Sequence, residues 1–265
     1  MMKKVRFYFP VVLVVILYFI FSKIFFFHIG IENSLVVRLT YPIISIGLSL
    51  VISILYYKRK FQLTFSVNKA KISIYWLFIM FLSIILGVAF NLFDHWPYLI
   101  PYVAAEAARL GFGTPEYIEA VKTSPFLMLY IGIIGPILEE FFYRGILFNQ
   151  CELELGVKRA CFFSALIWAV SHGWWGSFLY VFPMGIIISY FYHKTRNILI
   201  PILIHGMNNF YSVITEYKIN KRILETLFHT SLDDLGLMKA NIVIGLIILL
   251  ASVTIFYFIV QLQKK

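Results

Sequence analysis

Glu139 and Glu140 stand side by side in an otherwise apolar stretch, 123–148, whose only other charged residue is Arg144. A charged residue at the centre of a membrane helix costs roughly 2.5–3.5 kcal/mol, so three together call for partners or a use. Two more polar clusters interrupt apolar runs. His172 lies in 160–192, which has no Asp, Glu, Lys or Arg, and His205-Gly-Met-Asn208-Asn209 lies in 197–215. A carboxylate can take a proton from water. An imidazole and an amide can donate hydrogen bonds to a developing oxyanion. Helical spacing sorts these groups. Glu140 and Arg144 are i, i+4 and can pair on one face, while Glu139 is turned about 100° away and is left for chemistry. His205 and Asn209 are also i, i+4, with Asn208 pointing elsewhere. His172 follows Trp168 by four residues. Packing alternatives exist for each cluster: one ion network of all three charges, an interhelical clamp at His205, and an interfacial histidine at 172.

The elements that carry these residues follow from composition. The 265-residue chain is 61% apolar and 14% charged, with a mean hydropathy of +0.85. Soluble domains lie near 45–50% and about 25%. A soluble globule and a disordered chain are both excluded, and the reading is an all-α polytopic membrane protein. Apolar stretches at 39–57, 72–93, 123–148, 197–215 and 240–262 each predict a span, as does the run from Phe7 to about Ile31, read as a retained first helix. The 33 residues of 160–192 would make one helix about 50 Å long, so a break is expected in His172-Gly-Trp-Trp-Gly-Ser177, giving two spans and eight in total. The charged segment 101–122 is expected to form an interfacial helix on the outer face. With the N-terminus inside, fourteen of the 23 Lys and Arg fall in inner segments, against two acids, Glu152 and Glu154. The positive-inside rule then predicts a multi-pass cell-membrane protein with both termini cytoplasmic. It also accounts for most of the net charge of +10 without a nucleic-acid partner. Cys151 and Cys161 are expected as free thiols. His28, His95, His193 and His229 fall in loops or at a helix end, and Trp174–Trp175 reads as an aromatic belt. One domain over 1–265 is the simplest organisation.

The motif set resembles the CPBP (CAAX protease and bacteriocin-processing, or Abi) intramembrane proteases, including the Ras-converting CAAX endopeptidase. The family pattern EExxxR, FxxxH, HxxxN/D stands here as EEFFYR at 139–144, WAVSH at 168–172 and HGMNN at 205–209, within a motif core of 126–211. Trp168 replaces the usual Phe, where a packing role is expected to survive. The resemblance implies a glutamate-dependent endopeptidase acting on a membrane-associated peptide or protein, of the CAAX, pheromone-maturation or bacteriocin-immunity type, in a bacterial membrane. Glu139 would be the general base, His172 would help hold the water, and His205 and Asn209 would form the oxyanion hole. Glu140, Arg144 and Trp168 would shape the site. No cofactor is expected. HExxH is absent and Arg144 disfavours a dication, although two Glu and two His could ligate zinc in a competing mechanism. Two other classes use the same residues: a proton-coupled transporter, for which no inverted repeat is visible, and a non-catalytic membrane scaffold, which would not depend on Glu139.

Overall fold

The computed structural model describes residues 74–110, 123–172, 175–214, 222–226, 231 and 233–262. The two spans expected within 1–57, His28, Trp174, His229 and residues 111–122 lie outside them. Among the described residues the secondary structure is all helical. Helix α1 is Ile74–Phe93, followed by a 3-10 turn at Trp96–Leu99 and α2 at Pro101–Leu110. Helix α3 runs over Pro125–Leu155, α4 over Val157–Ser171, α5 over Trp175–Thr195, α6 over Leu199–Ile214 and α7 over Asp234–Leu262. Three helical stretches, Tyr75–Leu99, Pro125–Leu155 and Asp234–Ile259, are long and apolar enough to cross a membrane. Helices α4 and α6 have 15 and 16 residues, about 23–24 Å, and fall short of a 30 Å hydrocarbon layer by themselves.

Local chemistry sets the boundaries. Ser124 caps α3, its Oγ accepting from Leu127 N at 3.4 Å, and Pro125 supplies a pre-set φ at the first position. Gly156, with φ 79° and ψ 165°, separates α3 from α4 in a conformation closed to side-chain-bearing residues. The break expected after His172 falls there: α4 stops at Ser171 and α5 starts at Trp175. At α7, Asp233 Oδ1 accepts from Gly236 N at 2.7 Å, an acidic N-cap.

Helix α3 covers the span expected over 123–148 but is not a regular α-helix. It continues to Leu155 and contains two π-helical stretches, Tyr130–Ile134 and Phe141–Phe148. Pro136 accounts for the first. It has no N–H for the carbonyl of Gly132, and the ladder widens so that Gly135 N bonds Tyr130 O. In the second, the Asn149 side chain donates to Gly145 O at 2.7 Å, serving a carbonyl that an α-helix would pair with the Asn149 backbone.

The described residues cluster into two compact units, and their boundary falls within α3. In one, Ile137–Ile198, the C-terminal part of α3 packs with α4 and α5 around Tyr143, Phe148, Trp168, Met184, Ile188 and Phe191. The ends of α3 and α5 are tied by Arg196, which bonds both oxygens of Glu152 at 2.6 and 2.7 Å and holds a left-handed φ of 50°. The other unit comprises the described parts of 68–136 and 199–265. There α1 packs on α6 and α7, with Ile79, Leu86, Ala89, Ile204 and Leu237 buried. Gly87 lets α1 close on α6, since a Cβ would lie 2.5 Å from the Ile204 carbonyl.

Candidate active site

In the first unit the glutamates have separate partners. Glu140 and Arg144 pair at 2.8 Å, both with 0% side-chain exposure, as their i, i+4 spacing predicts. Arg144 also donates to Gly185 O at 3.4 Å and lies with Cζ 4.3 Å from the Trp168 ring centroid. That approach depends on a glycine in α5. A Cβ at residue 185 would sit 2.9 Å from Ala165 Cβ and 3.0 Å from the indole of Trp168.

Glu139 is half-buried, and its Oε2 accepts from Trp168 Nε1 at 2.7 Å. The sequence leaves this carboxylate without a partner; the structure supplies a neutral one, from α4. Trp168 itself is buried, and its carbonyl meets His172 Nδ1 at 2.9 Å. A carbonyl only accepts, so Nδ1 carries the proton, and in a neutral ring the lone pair then lies on Nε2. The same carbonyl accepts from Ser171 Oγ at 2.6 Å, and Ser171 accepts from the Tyr143 hydroxyl at 2.8 Å. Glu139, Glu140, Arg144, Trp168 and His172 are thus brought together around one indole.

In the second unit, α6 presents His205, Asn208 and Asn209. Asn209 Nδ2 donates to Ile131 O at 3.1 Å and meets His205 Nε2 at 3.3 Å. Its Oδ1 accepts from Asn208 Nδ2 at 3.0 Å. The Ile131 carbonyl fixes the orientation of the amide, and His205 Nε2 is then an acceptor. Asn91, on α1, extends this network by donating to Asn208 O at 3.1 Å. Sequence reasoning passed over Asn91. Its signal was present: a buried amide in an apolar span is costly without a partner.

A family model described as type II CAAX prenyl endopeptidase, Rce1-like, matches residues 121–211, which hold all three motifs. Over that segment the chain resembles the CPBP proteases. Two bacterial proteins are similar to the chain over part of its length. "Membrane-embedded CAAX protease MroQ" of Staphylococcus aureus is 31% identical over 107 residues, 38% of this chain and 43% of the relative. "Putative membrane peptidase YdiL" of Bacillus subtilis is 27% identical over 126 residues, 48% of this chain and 52% of the relative. The chain therefore matches about half the length of these relatives. No solved structure matches it.

Proposed function

We propose that this chain is an intramembrane, glutamate-dependent endopeptidase that hydrolyses a peptide bond in a membrane-associated peptide or protein. One observation carries the reading. Of two adjacent carboxylates, Glu140 is neutralised by a buried guanidinium, whereas half-buried Glu139 is held by a neutral donor, the Trp168 indole. A carboxylate so held presents its second oxygen, Oε1, with which to take a proton from water.

In the proposed reaction Glu139 removes a proton from water, and the resulting hydroxide adds to the scissile carbonyl. His172, by accepting through Nε2, helps orient that water. Asn209 stabilises the oxyanion by turning its Nδ2–H from His205 Nε2 to the substrate, and His205 adds a second donor once its ring proton shifts to Nε2. The tetrahedral intermediate collapses, the C–N bond breaks, and the proton held by Glu139 passes to the leaving amine. Glu140, Arg144 and Trp168 shape the site. No metal or other cofactor enters this scheme. The protease-like domain is proposed to span 1–265 with its motif core at 126–211. It would form eight membrane passes and an outer interfacial helix, with both termini cytoplasmic. Substrates of the CAAX, pheromone or bacteriocin-immunity type are proposed on the family resemblance alone.

The test compares membrane peptides from cells carrying the intact chain with those from cells carrying Glu139→Ala. A peptide whose cleavage is lost with Glu139, and persists in chelator, supports the reading. Identical peptide profiles favour the scaffold alternative, and activity that zinc alone restores to chelated protein makes it a metalloprotease.

A further inference from the structure

Trp168 makes contact with Glu139, Arg144 and His172, and it uses a different part of itself for each. The indole N–H donates to Glu139 Oε2 at 2.7 Å. The ring face takes Arg144, 4.3 Å from its centroid. The backbone carbonyl meets His172 Nδ1 at 2.9 Å, and the two rings pack edge to face at 5.4 Å. The ring is 1% exposed and cannot swing away.

We infer that Trp168 is a positioning residue that partitions the glutamate pair, keeping Arg144 on Glu140 and holding Glu139 as the base. The inference rests on the peptidase reading above. Glu139 and Glu140 are neighbours, and a single guanidinium between them would otherwise be open to either. Occupying the π face of Trp168 places Arg144 where Glu140 reaches it at 2.8 Å. Glu139 meanwhile receives a neutral donor. A cation there would hold the carboxylate but blunt its basicity. An indole N–H fixes one oxygen with directional geometry and adds no charge. Glutamate has three side-chain torsions, and pinning Oε2 leaves Oε1 in one place for the water. Packing alone does not require this arrangement. Phenylalanine would fill much of the same space and cover the guanidinium, but it has no hydrogen to donate.

The experiment uses the full chain in detergent and an internally quenched peptide matching a cleavage site whose processing depends on Glu139. Trp168→Phe should leave thermal stability nearly unchanged and KM within about two-fold. It should lower kcat about ten- to a hundred-fold, the size expected for losing one hydrogen bond to a charged group. In protein labelled with 15N-tryptophan, the indole N–H peak missing from Trp168→Phe identifies Trp168, and that peak should move upfield in Glu139→Ala. A wild-type kcat in Trp168→Phe overturns the inference while the peptidase reading stands. So does an indole peak that stays in place in Glu139→Ala, a result that holds even where Trp168→Phe fails to fold. Full cleavage by Glu139→Gln overturns the peptidase reading, and the positioning role falls with it.

Discussion

Replacing Glu140 by Gln should cost the chain folded protein, whereas the same change at Glu139 should cost it only chemistry. Glu140 and Arg144 are fully buried and bonded at 2.8 Å. Removing one member of a buried ion pair costs about 3–5 kcal/mol, because the other charge stays behind. The Gln oxygen still accepts one hydrogen bond from Arg144, returning about 1 kcal/mol. The Trp168 face and the Gly185 carbonyl are unchanged by the substitution and offset nothing further. The expected net loss for Glu140→Gln is therefore about 2–4 kcal/mol. At Glu139 the Gln oxygen replaces Oε2 as acceptor for the indole, no guanidinium is stranded, and the expected change is under about 1 kcal/mol. Thermal unfolding in detergent, read beside cleavage of a membrane peptide, separates the two. Glu140→Leu combined with Arg144→Leu removes both charges and should recover part of the stability but little of the activity. The opposite pattern, Glu139→Gln unfolded and Glu140→Gln folded but inactive, would refute the assignment of roles.

Gly185→Ala should force α5 away from α4, because the added methyl meets Ala165 and Trp168 at 2.9–3.0 Å. A loss of about 1–3 kcal/mol in thermal stability is expected, with a fall in cleavage as the Gly185 carbonyl leaves Arg144. Asn91→Leu removes the donor to the Asn208 carbonyl and should destabilise the chain by about 1–3 kcal/mol, measured in the same thermal assay. Reporter fusions at Lys58–Lys60 and at Lys264 should both read cytoplasmic, and an external reading at either would overturn the eight-pass topology.

Part of this architecture is legible in the sequence because it is local. The Glu140–Arg144 pair follows from i, i+4 spacing, and the break after His172 follows from a charge-free run too long for one span. What the sequence does not show depends on contacts distant along the chain or on hydrogen-bond register. Trp168 reads as a packing aromatic, since nothing within its own helix announces that its N–H meets a carboxylate 29 residues earlier. Of the π-helical stretches in α3, the first has a sequence mark in Pro136, whereas the second leaves none in the spacing of its residues. The helix extends to Leu155, past the apolar stretch 123–148 that predicts the span. At Asn209 the spacing correctly joins the amide to His205. It does not reveal that the same amide also serves the Ile131 carbonyl, 78 residues away.

The ion pair inside α3 also bears on how the chain enters a bilayer. Glu140 is synthesised four residues before Arg144, but Gly185 follows Arg144 by 41 residues. At 5–20 residues per second, the guanidinium waits about 2–8 s for its carbonyl partner on α5. Trp168, 24 residues behind Arg144, arrives only part-way through that interval. During the wait α3 neutralises Arg144 with a carboxylate from its own preceding turn. It can therefore be offered to the translocon with that charge already matched, ahead of the helices that later enclose it.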